Sequence, residues 1–151
     1  MTSDAVAAVR AAVAAINDRS IGDRAAELLD PSFVRHDLAE LFGDSQGPAG
    51  ASDFVSMIIS AMPDFRLDIE DIFGVGGRAA VRLQMTGTHT GAPLLGQPAR
   101  GRRLSASAVF IYRVADGRLA EAWQIVDGLA FYRLAGLIEQ QDQNITAHSN
   151  P

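Results

Sequence analysis

The apolar residues of this chain keep one period before Pro63 and another after it. Upstream they recur every three or four residues. Val6, Val9, Val13 and Ile16 form a single stripe behind Ser3, a residue suited to capping a helix. A second short helix reads as "DRAAELL" and ends before Asp30-Pro31, because a residue preceding proline is pushed out of the helical region. A third, "DFVSMIISAM", starts at Ser52 and Asp53, sets Phe54, Met57, Ile58 and Ala61 on one side, and closes at Pro63-Asp64. Downstream the spacing becomes partial alternation in four runs: "FRLDIEDIF", "RAAVRLQMTGTH", "RLSASAVFIYRV" and "RLAEAWQIVD". "GVGG" and "ADG" read as hairpin turns and "TGAPLLGQPARG" as a longer loop. Helices first and antiparallel strands second specify an α+β fold, with N-terminal helices packed in the concave face of a curved, mostly antiparallel sheet. Such a sheet wraps into a cone-shaped barrel with an open mouth, and its interior becomes a ligand pocket.

The remaining segments fit that frame. "SFVRHDL" reads as extended or turn-like, and the Gly/Pro-rich "GDSQGPAGAS" as a loop. "GLAFYRLAGL" reads as a final short helix. There is no internal repeat or boundary, so residues 1–138 are expected to form one domain. The polar stretch "EQQDQNITAHSNP" at 139–151 is expected to be a disordered tail.

Composition removes several chemistries. The chain has no cysteine, hence no thiolate nucleophile or disulfide framework. All 13 basic residues are arginine, so Schiff-base chemistry and a Walker-type phosphate loop are excluded. The three histidines, His36, His89 and His148, show no metal-ligand spacing, and no metal or cofactor is expected. A net charge of −5 opposes binding to nucleic acid or an anionic membrane, and the "RGRR" at 100–103 is too short to reverse that. The N-terminal segment lacks a basic leader and is interrupted by Arg10, so it reads as a soluble helix, and the expected location is the cytoplasm.

Candidate chemistry gathers on the last strand. Alternation puts Trp123, Ile125 and Asp127 on one face and Ala122, Gln124 and Val126 on the other. With the lone tryptophan's face turned inward, Asp127 sits in the pocket, where desolvation would tune it as a general acid/base. Alternatively it caps the following helix. His36 either polarises a substrate carbonyl or makes a structural hydrogen bond at a helix-to-strand junction. His89 is expected to anchor its loop. Of the two faces of "RAAVRLQMTGTH", the set Val81, Leu83 and Met85 is expected to meet the helices.

Taken together, "FVRHD", "MPDFRLDIEDIFGVGGRAAVRLQMTGTHTG", "GRRLSASAVFIYRVADGRLAEAWQIVD" and "LAGL", in that order, resemble the SnoaL-like polyketide cyclase family of the nuclear-transport-factor-2-like superfamily. The resemblance spans most of residues 1–138. It implies the cone-shaped barrel, a homodimer or larger homo-oligomer built through sheet faces, and cofactor-free ring closure on a polyketide-like small molecule in secondary metabolism such as antibiotic biosynthesis. It further implies that Asp127 is the acid/base of an aldol-type cyclisation, assisted here by His36. Trp123, Ile125, Phe54, Met57, Phe110 and Met85 would then line the substrate site. One position departs from the pattern: the family's founding cyclases carry a histidine where this chain has Ile125. The same scaffold also carries hydroxylases, epoxide hydrolases, isomerases and non-catalytic binding proteins.

Overall fold

A computed structural model describes residues 4–36, 39–42 and 45–138, and the tail at 139–151 lies outside them. The elements run α1 (Asp4–Asn17), α2 (Ile21–Leu28), β1 (Leu29–His36), α3 (Ala39–Phe42), β2 (Ser45–Gln46), α4 (Gly47–Ala61), β3 (Arg66–Val75), β4 (Arg78–Thr88), β5 (Arg103–Ala115), β6 (Arg118–Val126) and α5 (Gly128–Leu134). The strands form one sheet in the order β2-β1-β6-β5-β4-β3. Pairing is antiparallel throughout except that β1 runs parallel to β6. The architecture is the α+β fold read from the sequence, with a mixed sheet that does not close on itself.

Alternation on β5 shows which face meets the helices. Leu104, Ala106, Ala108, Phe110 and Tyr112 are buried, whereas Arg103, Ser105, Ser107, Val109 and Ile111 are exposed. The inner set joins Val81, Leu83 and Met85 of β4 in the core, as expected, together with Val6, Val9 and Val13 of α1 and Ile58 of α4. Two tight turns hold the β3–β4 and β5–β6 hairpins. Their central pairs, Gly76–Gly77 (φ 54° and 74°) and Asp116–Gly117 (φ 52° and 75°), occupy the left-handed region that such turns require. A side-chain clasp fixes α1 to the sheet. Asn17 Nδ2 donates to the Leu67 carbonyl at 2.8 Å and accepts the Leu67 N–H at 2.9 Å through Oδ1.

Several boundaries differ from the sequence reading. Helix α4 begins at Gly47, inside the segment read as a loop. Pro48 stands in its first turn, where a missing N–H costs nothing, and the Gly/Pro richness masked an early helix start. Strand β1 starts at Leu29 and contains Pro31, where its register with β6 shifts, an irregularity that accommodates a residue lacking a donor. Met57, expected on the inner side of α4, is 38% exposed. The inner stripe is Ala51, Phe54, Val55 and Ile58, which places Met57 around the side of the helix.

The most consequential irregularity is in β6. Arg113 pairs with Glu121 and its neighbour Val114 with Leu119, so Ala120 is an extra residue, a β-bulge. Leu119 and Ala120 are both buried, and Ala122 and Gln124 follow them inward. Among the described residues, no helix is long and apolar enough to cross a membrane.

Candidate functional site

A cavity of about 100 Å³ lies between α1, α2 and α4 on one side and the inner sheet face on the other, with α5 contributing Phe131. Its lining is apolar apart from three side chains: Arg35 on β1, Tyr112 on β5 and Gln124 on β6. An aromatic group shapes one end. Phe42 meets Phe54 and Phe131 edge to face, with ring centroids 5.3 and 5.4 Å apart.

The sheet register explains why the polar groups converge. Arg35 pairs with Ala122 across the parallel β1–β6 contact, and Tyr112 pairs with Ala122 across β5–β6. Arg35 and Tyr112 therefore flank one alanine in a single row, their backbones about 10 Å apart at two strand spacings. Ala122 offers only a methyl group between them. Gln124 stands in the next row, opposite Phe110. The Arg35 guanidinium lies over the Phe54 ring, 3.8 Å from its centroid, in residues that line the cavity. This cation–π contact matters more here than at a surface because the site is desolvated. Burial pushes the Tyr112 phenol up to about 12, against a smaller opposing effect of its hydrogen bond with Gln124. The phenol therefore keeps its proton at neutral pH and acts as a donor.

Of the residues expected to line the site, Phe54, Met85 and Phe110 do so. Trp123 and Ile125 lie on the outer face, opposite Ile111 and Val109, with Ile125 69% exposed. The bulge accounts for this. Counting by twos from buried Leu119 brings Trp123 and Ile125 inward, and the extra residue Ala120 reverses the alternation.

His36 is outside too. It pairs in register with Trp123, its ring stacks on the indole at 5.4 Å, and its Nε2 lies 2.8 Å from Glu121 Oε2. Glu121 also accepts from Arg113 Nε at 3.1 Å, and these two partners, His36 foremost, hold its carboxyl below the usual range. Asp127 is exposed and occupies the N-cap of α5, its Oδ1 accepting the Ala130 N–H at 3.2 Å. The capping alternative is thus the geometry present. His89 anchors its loop: its Nε2–H donates to the Ala92 carbonyl at 2.8 Å, and its backbone pairs with Arg102 and Gly101.

Arg35, Tyr112 and Gln124 were missed as site residues. Gln124 had a signal, being an amide between Ala122 and Val126 on an otherwise apolar face. Arg35 had none, because its burial depends on a parallel pairing between segments far apart in sequence.

The family model for the SnoaL-like polyketide cyclases matches residues 6–134. The chain belongs to the SnoaL-like polyketide cyclase family. Solved structures of similar proteins agree. A candidate polyketide cyclase from Bacillus cereus is 25% identical, with a TM-score of 0.74 over 89% of this chain and 82% of that one. IdmH, a candidate polyketide cyclase from Streptomyces antibioticus, is 25% identical, with a TM-score of 0.70 over 86% of this chain and 96% of its own. AclR, a candidate hydroxylase from Streptomyces galilaeus, is 23% identical with a TM-score of 0.77 over 95% and 87%, a likeness of fold. Comparison with curated proteins gave no match. In this SnoaL-like protein the site is an apolar, partly open cavity whose polar groups come from β1, β5 and β6.

Proposed function

We propose that this SnoaL-like protein is a cofactor-independent cyclase that closes a ring in a polyketide-derived intermediate. The observation that carries the reading is the apolar cavity whose polar side chains, Arg35, Tyr112 and Gln124, stand together on neighbouring sheet rows. An aldol-type closure joins an enol or enolate carbon to a carbonyl carbon of the same molecule. Negative charge shifts to the carbonyl oxygen as the bond forms. A guanidinium and a protonated phenol in a desolvated site oppose that charge where it develops. The aromatic walls hold the two reacting ends together, and such positioning is worth about 7–11 kcal/mol of barrier when reacting atoms are well aligned. The proton lost by the enol is regained by the product alkoxide, so the product is isobaric with the substrate.

In this reading Asp127 positions α5, whose Phe131 forms part of the wall, and His36 belongs to the outer face. That face also supports a homo-oligomer. Phe73, Val109, Ile111 and Ile125 are all more than 40% exposed, and they flank Trp123 on one side of the sheet. A second copy of this chain would cover a patch that a monomer leaves in water.

The test is to incubate the protein with the uncyclised intermediate that accumulates when its gene is deleted. Cyclisation gives a product of unchanged mass, apart from any later loss of water. A product heavier by an oxygen atom or a water molecule would replace the cyclase reading with hydroxylation or hydration. Recovery of the intermediate unchanged would favour a binding protein.

A further inference from the structure

Tyr112 and Gln124 enter the cavity from adjacent strands in successive rows. The Gln124 side chain lies close enough to the Tyr112 phenol to oppose part of the upward push that burial exerts on it. Two groups are then available to a ligand. One is the Tyr112 O–H. The other is Gln124 Oε1, which is buried without a hydrogen-bond partner in a residue only 9% exposed. Buried polar atoms in folded proteins are nearly always paired, so an orphan in a cavity wall asks for a partner from the cavity.

We infer that Tyr112 and Gln124 form a donor–acceptor clamp for a compact, apolar ring compound bearing a carbonyl oxygen and, a few bonds away, a hydroxyl hydrogen: the keto–enol edge of a cyclic dicarbonyl or a hydroxyaryl ketone. This rests on the reading of the cavity as the substrate site of a cyclase. The phenol donates to the ligand's carbonyl, and the ligand's hydroxyl donates to Gln124 Oε1. A ligand without the hydroxyl leaves the amide oxygen unpaired, the situation in which polar sites discriminate most strongly. The remaining wall suits a ring, with Phe54, Phe110 and Phe131 supplying apolar surface. The volume of about 100 Å³ is comparable to cavities that take one aromatic ring. Clamp and nearby Arg35 lie at the same end of the site, so the part of the substrate held is the part on which charge develops.

The experiment measures binding, by calorimetry, of meta-hydroxyacetophenone and meta-methoxyacetophenone to the full chain. The two share the ketone and the ring and differ in the donor. The wild-type protein should prefer the hydroxy compound by about tenfold or more. Gln124→Leu should reduce that preference below about twofold, and Tyr112→Phe should weaken both ketones by about tenfold. Equal affinities in the wild type, a preference that persists in Gln124→Leu, or no binding of either ketone at millimolar concentration would overturn the clamp. The wild-type comparison needs no variant to fold. Because the readout is binding, a preserved preference without cyclisation refutes the cyclase reading alone. Cyclisation without the preference refutes the clamp alone.

Discussion

Asp127 offers the sharpest separation of two mechanisms. Its Oδ1 accepts the Ala130 N–H at 3.2 Å at the start of a seven-residue helix whose Phe131 and Leu134 are buried. Removing an N-cap carboxylate typically costs about 1 kcal/mol. In a domain of this size that lowers Tm by about 2–4 °C. Asp127→Ala should show that loss, whereas Asp127→Asn, which keeps a capping oxygen, should melt within about 1 °C of wild type. The two variants then separate the roles in a cyclisation assay. If the carboxylate only caps α5, Asp127→Asn retains turnover within about threefold. If it is the acid/base, the same variant loses about 10²–10⁴-fold with no change in melting. That second outcome would refute the assignment of the chemistry to the Arg35, Tyr112 and Gln124 end of the cavity.

Three further outcomes follow from features elsewhere. A Cβ at Gly91 would collide with the Ser60 carbonyl oxygen, so Gly91→Ala should cost about 3 kcal/mol in urea unfolding, and a loss below about 0.5 kcal/mol would show that the loop yields freely. The Asp64 carboxylate accepts the Thr88 N–H at 2.6 Å and hydroxyl at 2.9 Å, and these bonds hold it below its ordinary value of 3.8. A depressed folded-state value means the stabilisation is present above the unfolded-state value and is lost as pH falls through the lowered one. The stability gap between wild type and Asp64→Asn should therefore be constant near neutrality and close in strong acid; a gap independent of pH down to full protonation would contradict this. Ile125→Arg, at a 69% exposed position on the outer sheet face, should shift sedimentation toward monomer while leaving far-UV dichroism unchanged, and an unaltered sedimentation coefficient would remove that face from the assembly.

The order of elements was readable because hydrophobic period is a local property. Both the amphipathic stripe of α1 and the strict alternation of β5 are set by neighbours within a few residues. What escaped the sequence depends on distant pairing. Strand β1 is stabilised by β6, far along the chain, and β2 exists only as a two-residue pairing on β1. The first turns of α4 were hidden by composition, since glycine and proline at a helix start resemble a loop. The inward face of β6 was misassigned because both faces carry apolar residues, Ala122 and Val126 against Trp123 and Ile125. Only the partner strand reveals the bulge that decides between them. Phe54, Met85 and Phe110 were found because large apolar residues on a core face need no such information.

The bulge at Ala120 makes this strand tolerant of one change of length and sensitive to others. Its extra residue lets Leu119 and Ala120 both face inward while the pairs on either side stay consecutive along β5. Deleting Ala120 would set Leu119, opposite Val114, directly beside Glu121, opposite Arg113, so the ladder would close with Gln124 still inward and Trp123 and Ile125 still outward. Loss of a residue beyond Glu121, with that pair kept, would turn Trp123 and Ile125 toward the helices and Gln124 away. A lineage could therefore lose the Ala120 codon and keep the same cavity lining, whereas the same loss a few codons later would exchange it. Relatives whose strand differs in length beyond Glu121 would be expected to differ in chemistry more than their sequence identity suggests.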